Sequence, residues 1–506
     1  MPDFFLAALG EVMSLQVFGL IVLGVVLGIV GGAIPGFTVT MAILVVFPFT
    51  FAMDPVAGVC LMVAVFVGGY SGGLVSGVML GIPGTPSSIT TVYDGYPMAQ
   101  KGEPGRALGI GVLASFFGTV ISVAVLVVFG PLIAGFSMNF RPWELTALIV
   151  FALTLVASLS AGAMLKGLLA AGLGLLVMTV GYDRNSNLRF DFGFTFFESG
   201  LEMLPVLVGV FAFSQLLGDL EMQPGGGEGS ARPVQDVTIP YRKILSDMGA
   251  QKINILRSSL IGALVGALPG TGGTVANFIS YDQARKLARR PEEFGTGIPA
   301  GIIASEASNS AVPGGAFIPT LALGIPGDLP MAIMMGVLIL HGINPGPLMF
   351  QENAVLVGAI YVSLFISAFV MVLAHLMLVR WFAKISLIPQ EVLAPVVLVL
   401  CAVGSFALNN NLFDVWVLFG AGIVGYLLWK CGVPLTPLIL GVVLGDSLEA
   451  QLFRALELDD SWTTFLTRPI SAILLGLAAL SVIVSIVQNR RMVRVANGEG
   501  STARRL

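Results

Sequence analysis

Two Gly-Pro interruptions occur twice in this chain, and their residues suit the binding of ions or anions. Pro35-Gly36 returns as Pro269-Gly270, and the pattern Gly-Ile-Pro-Gly at 81–84 returns at 324–327. Each lies within strongly apolar sequence. A helix that breaks inside a membrane exposes backbone N–H and C=O groups, which must then be satisfied by protein, water or a solute. Matching interruptions in two halves of an apolar chain are therefore typical of a transport site.

Uncharged hydrogen-bond donors surround these interruptions. A helix that begins at a break directs free N–H groups and a partial positive charge at an anion, and nearby hydroxyl and amide groups would add to this. The candidate substrate-binding residues are Pro35, Gly36, Thr38, Ser71, Gly72, Gly73, Gly84, Thr85, Gly270, Thr271, Asn309, Ser310, Gly314, Gly315 and Gly327. The alternative interpretation is an ordinary helix kink, or small residues that allow close helix packing.

The same interruptions could also bind a cation. Carbonyl oxygens freed near the breaks would hold sodium, and an acidic residue within apolar sequence is costly and usually functional. Glu306 could bind a coupling cation or a proton, or pair with a basic residue, whereas Asp328 could simply cap the next helix. The candidate ion-binding residues are Pro35, Pro83, Pro269, Glu306, Pro326 and Asp328.

The elements that position these residues must lie in a membrane. The chain is 56% hydrophobic and 11% charged, and it contains 63 glycines and 28 prolines. This composition predicts an all-α polytopic integral membrane protein, with about 12 transmembrane helices plus broken or re-entrant segments. A net charge of −4 gives no reason to expect nucleic-acid binding, and no residue pattern indicates a cofactor or a metal centre.

The recurrence divides the chain into segments. The predicted segments are an N-terminal interfacial segment at 1–14, a first membrane repeat at 15–218, a polar linker at 219–252, a second membrane repeat at 253–488 and a basic cytoplasmic tail at 489–506. Lys and Arg favour cytoplasmic loops. In the first repeat the basic loop follows the second interruption, but in the second repeat it follows the first. This exchange predicts two repeats of inverted topology and a cytoplasmic C-terminus.

An intramembrane serine protease is the enzyme alternative, because Gly-x-Ser-x-Gly occurs at 69–73 and its first four residues match the Gly-x-Ser-Gly of such proteases. A nucleophilic Ser71 would need a general base, and only His341 and His375 are available. His341 lies in a Gly/Pro-rich loop, and His375 lies in a long apolar segment where a packed core histidine is equally expected. Because a repeated glycine signature also explains these glycines, the sequence favours a protein that is not an enzyme.

The ordered set of motifs resembles the large membrane subunit of the tripartite tricarboxylate transporters, the TctA family. The resemblance extends over nearly the whole chain. It is based on the motifs at 32–36, 81–86, 93–99, 181–183, 189–190, 267–270, 437–441, Glu449 and 468–470.

This resemblance implies two protein partners, a small four-helix membrane subunit and a periplasmic solute-binding protein. It implies import of organic carboxylates such as citrate across a bacterial inner membrane, driven by an ion gradient. The freed carbonyls at the breaks favour sodium as the coupling ion, and protons are the alternative. The chain has no Gly-x-x-x-x-Gly-Lys phosphate loop, in agreement with a carrier that does not use ATP. A stand-alone organic-anion carrier that needs no binding protein is the second hypothesis.

Overall fold

The computed structural model describes residues 2–159, 164–183, 185–221, 238–385 and 390–496. The helices of the first part are α1 (Pro2–Val12), α2 (Leu15–Ala33), α3 (Val39–Val46), α4 (Pro55–Leu80), α5 (Ile89–Gln100), α6 (Pro104–Ser137), α7 (Pro142–Leu159), α8 (Met164–Val177) and α9 (Met203–Val208). Strands β1 (Gly181–Tyr182) and β2 (Leu188–Arg189) form an antiparallel hairpin between α8 and α9.

The second part of the described chain continues this helical pattern. Its helices are α10 (Ser214–Glu221), α11 (Tyr241–Ala250), α12 (Lys252–Gly266), α13 (Gly272–Lys286), α14 (Pro299–Leu323), α15 (Leu329–Leu340), α16 (Met349–Glu352), α17 (Ala354–Ile385), α18 (Gln390–Asn409), α19 (Leu412–Lys430), α20 (Leu435–Leu458), α21 (Thr464–Thr467) and α22 (Pro469–Ala496). The predicted helical class is confirmed, and the short hairpin is the one β element in the residues described.

Helix length and apolarity support a polytopic membrane protein. Within the described residues, seven helices are long and apolar enough to cross a bilayer. They belong to α2, α4, α6, α17, α19, α20 and α22. Six shorter apolar helical segments accompany them, which is the composition expected where spans are broken. The predicted total of about 12 spans remains a prediction, because a shorter helix need not cross on its own.

Contacts between residues divide the chain into two compact units, and this division crosses the predicted repeats. Unit 1 contains 1–138 and 211–418, and unit 2 contains 139–210 and 419–506. Each unit therefore takes segments from both repeats, and the repeat boundaries stay predictions. Residues 222–237 of the predicted linker and 497–506 of the predicted tail lie outside the described residues. The rest of the linker includes α11, which buries Ile244 and Met248.

In unit 1, a set of four helices occurs twice, with the repeated sequence motifs at the same two places in each set. In the first half, α2, α3, α4 and α5 follow one another, with the two Gly-Pro interruptions after α2 and after α4. In the second half, α12, α13, α14 and α15 are separated at the same two places. Both α4 and α14 end at a left-handed glycine, Gly81 with φ 71° and Gly324 with φ 69°. A side chain would strain this conformation, so these glycines terminate the helices.

Glycines also set the close packing of equivalent helix pairs. A Cβ atom added to Gly72 of α4 would collide with the Ile29 carbonyl oxygen of α2. In the second half, a Cβ added to Gly315 of α14 would collide with the Ala263 carbonyl oxygen of α12. Transmembrane helices associate through such small residues because backbones can then approach closely. The packing interpretation of Gly72 and Gly315 thus has direct support.

In unit 2, ion pairs among the described residues join the hairpin to α20 and the segment before α22 to α7. Arg189 of the hairpin pairs with Glu449 of α20 at 2.9 Å. Arg468, just before α22, pairs through Nε with the buried Glu144 of α7, and its guanidinium lies 5.0 Å from the ring centroid of Trp143. The Glu144 side chain is 2% exposed, so Arg468 rather than water lies against its carboxylate.

We expect Arg468→Ala to destabilise unit 2 by about 3 kcal/mol, because it leaves a buried carboxylate without its counter-charge. Thermal unfolding of the purified protein in detergent would measure the loss as a lower midpoint. Arg454→Ala is the matched control, since Arg454 is exposed on α20 and forms no ion pair with any described residue. Equal midpoints for the two variants would contradict the stabilising role of the buried pair.

Candidate functional site

Polar side chains from both halves meet in unit 1 where α4 and α14 approach each other. The Tyr70 hydroxyl of α4 donates to Asp328 Oδ2 at 2.8 Å, and the Asn309 amide of α14 donates to the Tyr70 carbonyl at 2.8 Å. Asp328 Oδ1 accepts the backbone N–H of Met331 at 3.0 Å, so this residue does cap α15, as expected. All of these side chains are buried. Asp328 therefore both caps a helix and joins the two halves.

Helix α13 adds a second amide to the same region. The Asn277 side-chain N–H donates to the Ser87 carbonyl, in the segment that connects α4 to α5. Gly273 lies one turn earlier, where an added Cβ would be 2.7 Å from the Tyr70 ring and 3.1 Å from Asn309 Oδ1. Because Gly273 has no side chain, α13 can approach Tyr70 and Asn309 closely. We call Tyr70, Ser87, Asn277, Asn309 and Asp328 the central polar cluster.

Glu306 forms a separate buried cluster on α14. Its two carboxylate oxygens accept the hydroxyl of Thr91 from α5 at 2.6 Å and the hydroxyl of Ser115 from α6 at 3.0 Å. Among the described residues no Lys or Arg forms an ion pair with it. The structure therefore gives Glu306 hydroxyl partners rather than the basic partner that was one of the sequence alternatives.

Asp94 of α5 fixes the loop before α14. Its carboxylate accepts the Tyr281 hydroxyl at 2.8 Å and the backbone N–H groups of Gly295, Gly297 and Ile298 at 3.1, 2.8 and 3.0 Å. Four donors to one buried carboxylate fix its position. This set of bonds connects the first half to the loop and helix of the second.

The second interruptions bring several predicted residues together. Thr85 forms a reciprocal cap with Ser88, and an added Cβ on Gly73 would be 2.7 Å from the Thr85 hydroxyl. Gly84 packs against the backbone of Gly32 and Gly73, and Gly327 packs against Gly266 in the same way. These contacts place the two Gly-Ile-Pro-Gly motifs in equivalent environments. Pro326 is buried, whereas Pro83 is half-buried.

The first interruptions form hydrogen bonds with neighbouring backbone and side-chain groups. The Gly270 N–H donates to the Gly327 carbonyl at 2.9 Å, so the two interruptions of the second half touch. Thr271 donates to the carbonyls of Val265 and Leu268 at 2.5 and 2.8 Å. In the first half, Thr38 accepts the N–H of Met41 at 3.2 Å and caps α3. Pro35 and Pro269 are half-buried, and the exposed Gly36 carbonyl accepts Gln215 at 3.2 Å.

Other predicted residues face neighbouring helices. The Ser71 hydroxyl lies 2.9 Å from His375 Nε2 on α17, and both side chains are buried. An added Cβ on Gly314 would collide with Ser122 of α6, so this glycine serves close packing. The carbonyl of Ser310 accepts the Thr119 hydroxyl at 3.2 Å. Ser71 therefore contacts α17, and Gly314 contacts α6.

Sequence reasoning did not identify Tyr70, Ser87, Asn277, Thr91 or Ser115. Tyr70 is a polar residue within an apolar helix and Asn277 follows an interruption, and these positions are the signal that could have identified them. Hydroxyl residues on apolar helices commonly bond to their own helix backbone, so Thr91 and Ser115 carry no comparable signal.

A basic cavity of about 970 Å³ is also present in unit 1. Its charged lining residues are Asp247, Lys252, Arg257, Arg289, Arg290 and Glu293. Both acids have partners, since Glu293 pairs with Arg290 at 2.9 Å and Asp247 accepts two bonds of 2.9 Å from Arg106. Arg106 also binds Glu103 and lowers the pKa of that carboxyl below its ordinary value. The cavity is thus net positive and attracts anions.

Comparison with known proteins gives one family. The tripartite tricarboxylate transporter TctA family matches residues 18–440. An uncharacterized 52.8 kDa protein in the TAR-I ttuC' 3' region of Agrobacterium vitis is 34% identical over 473 residues, which cover 93% of each chain. An uncharacterized protein in the TAR-II ttuC' 3' region of the same organism is 38% identical over 46% of this chain and 97% of its own. No solved structure matches.

Proposed function

Because the chain belongs to the TctA family, the large membrane component of tripartite tricarboxylate transporters, we propose that it imports tricarboxylates or related organic carboxylates by ion-gradient-driven secondary transport. Sodium is the proposed coupling ion. The proposal includes a small four-helix membrane subunit and a periplasmic solute-binding protein as partners. The chain is a multi-pass membrane protein, and we place it in a bacterial inner membrane with a cytoplasmic C-terminus.

One observation carries this proposal: the second interruptions of the two halves meet at a single buried polar cluster. The bond between Tyr70 and Asp328 connects α4 with the segment that follows α14, although 258 residues separate them. Transporters built from repeats bind their substrate where broken helices of the two repeats meet. We interpret the repeats as inverted, in agreement with the exchange of basic loops between them.

Four short helices supply the proposed donors for a carboxylate. Helices α3, α13 and α15 begin directly after an interruption, and α5 begins after a short 3₁₀ turn at Pro86–Ser88, so the first N–H groups of all four lie near the breaks. Such helix starts favour an anion through N–H groups and the helix dipole. Thr85 and Gly327 lie beside these breaks and, with the buried Ser310 of α14, remain our proposed substrate contacts.

Family membership decides against the enzyme hypothesis. The Ser71 hydroxyl and His375 Nε2 lie at 2.9 Å, which is the spacing of a nucleophile and its base. The TctA family consists of transporter subunits, not enzymes. We therefore assign this pair to the buried contact between α4 and α17, where each polar group satisfies the other.

Uptake into proteoliposomes tests the proposal. Vesicles containing this chain and its small membrane partner would receive labelled citrate and other carboxylates, with and without the binding protein, under an imposed sodium gradient. We expect accumulation only when both the binding protein and sodium are present. Accumulation without the binding protein would instead establish a stand-alone carrier. Accumulation driven only by a proton gradient would contradict sodium coupling, and no uptake under either gradient would contradict the carboxylate assignment.

A further inference from the structure

The central polar cluster contains two buried amide oxygens that have no partner among the described residues. Asn277 is 1% exposed and Asn309 is 0% exposed, yet neither Oδ1 atom accepts a hydrogen bond. An acceptor left unsatisfied in this way costs about 1–3 kcal/mol. Two such atoms in one cluster require an explanation, because native structures rarely leave buried polar groups unpaired.

The orientation of both amides is fixed by their surroundings. Each amide nitrogen donates to a backbone carbonyl, Asn277 to that of Ser87 and Asn309 to that of Tyr70. Rotating either amide would place its oxygen against a carbonyl oxygen, which is repulsive. The oxygens therefore remain the unpaired atoms. Nearby serines with unpaired hydroxyls differ, since a hydroxyl can rotate and donate to its own helix.

Both amides lie near Gly273 and Ser87. The Asn277 amide bonds to the Ser87 backbone, and Gly273 lies between Ser87 and Asn309. An added Cβ on Gly273 would be 2.8 Å from Ser87 Cβ and 3.1 Å from Asn309 Oδ1. The hydroxyl oxygens of Ser87 and Thr85 lie 3.1 Å apart on this side. Oxygen atoms from two helices and one broken segment thus surround one region.

The charges around this region favour a monovalent cation. Amide, hydroxyl and carbonyl oxygens are the ligands that hard cations prefer. The acid of the cluster is Asp328, whose Oδ2 accepts the Tyr70 hydroxyl, and no described Lys or Arg pairs with Asp328. One carboxylate can balance one positive charge. We propose that Asn277 Oδ1 and Asn309 Oδ1 are ligands of a sodium ion, with the Ser87 and Thr85 hydroxyls beside them.

This proposal rests on the proposed sodium-coupled function and names the ion site within it. It differs from the expectation that freed carbonyls near the prolines hold sodium, because its ligands are side-chain amides. Sodium bound here would contact α13, α14 and the segment before α5 together. Its binding would draw these three elements into one arrangement and complete the site beside the interruptions.

The test measures sodium binding directly on the purified protein with its small membrane partner. Thermal unfolding in sodium chloride and in choline chloride gives a sodium-specific shift of the midpoint, and titration gives the sodium concentration for half the shift. We expect Asn277→Ala and Asn309→Ala each to raise that concentration roughly 10- to 100-fold, the loss of one bond to a charged group. Sodium-dependent uptake should weaken in parallel.

Asn254→Ala is the matched control. Asn254 is also a buried amide that donates to a carbonyl, that of Ala300 at 3.0 Å, but its oxygen accepts Arg257 at 2.7 Å and Ser258 at 3.3 Å. This variant should lower the unfolding midpoint and keep the sodium shift. If Asn277→Ala and Asn309→Ala both needed the wild-type sodium concentration for half the midpoint shift, the proposed site would be wrong. Sodium-driven uptake by the wild type would still support the proposed function in that case. A wild type that sodium neither stabilises nor drives would overturn both.

Discussion

Replacing Gly84 or Gly327 with valine is expected to abolish carboxylate uptake. A Cβ on Gly327 would lie 2.5 Å from the Gly266 carbonyl oxygen and 2.6 Å from Ala316 Cα. A Cβ on Gly84 would lie 2.8 Å from Gly73 Cα and would collide with the carbonyl of Gly32. These neighbours are backbone atoms, so no side chain can rotate away to accept the valine. The interruptions would have to separate from α2 and α12.

The expected loss of uptake is at least about 100-fold, because overpacking costs of 1–3 kcal/mol or more would act on the segments that start α5 and α15. Membrane insertion should remain, since valine makes these segments more apolar. Expression level, a monodisperse elution profile and uptake in proteoliposomes would be measured together. Gly19→Val and Gly135→Val are matched controls, since neither glycine has a neighbour within 4 Å of an added Cβ. Normal uptake by both Gly84→Val and Gly327→Val would refute the assignment.

The positions of the breaks could be predicted from the sequence because they depend on local backbone chemistry. Helix α4 ends at Leu80 and α14 ends at Leu323, directly before the glycines of the two repeated motifs. Glycine permits the left-handed conformation that ends a helix, and proline prevents the helix from continuing. The membrane class followed from composition for a similar reason, since every span must be apolar.

The partners of individual side chains could not be predicted in the same way. Tyr70 and Ser71 are neighbours on α4, but Tyr70 bonds to Asp328 whereas Ser71 bonds to His375 of α17. Helix α4 is apolar on all sides and fully buried, so it has no polar face that indicates its orientation. Asn309 and Asp328, which the sequence suggested as site residues, lie in the central polar cluster. Asn277 and Tyr70 could be recognised as members of the cluster only from their tertiary contacts.

The hairpin and the compact units also could not be predicted from the sequence. The segment 181–189 forms two short strands that pair Gly181 with Arg189 and Tyr182 with Leu188, and its residues have no alternating pattern long enough to predict them. Unit 2 combines α7 and α8 with α20 and α22, which are far apart in sequence. Such long-range pairing depends on which apolar faces fit, and helices of uniform apolarity do not reveal this.

Glu306→Gln is expected to reduce uptake about 30- to 100-fold while the protein stays folded. Glu306 lies within α14 and is fully buried, and its donors among the described residues are the hydroxyls of Thr91 and Ser115. A carboxylate placed so deep in a membrane protein is costly and is typically retained for transport of a charge or a proton. Glutamine keeps the size and one acceptor but removes the charge, and hydrogen bonds to a charge are worth about 1.5–3 kcal/mol.

The comparison of two kinds of variant separates a transport role of Glu306 from a structural one. Thr91→Val and Ser115→Ala remove the hydroxyl donors and leave the carboxylate. These variants should lower the unfolding midpoint clearly and reduce uptake only slightly. Glu306→Gln should do the reverse, because its amide still bonds to one of the hydroxyls. Glu352→Gln, at an exposed glutamate on α16, serves as the control for loss of a single charge. If Glu306→Gln transported at the wild-type rate, the carboxylate would serve only to join α14 to α5 and α6, and its proposed role in transport would be wrong.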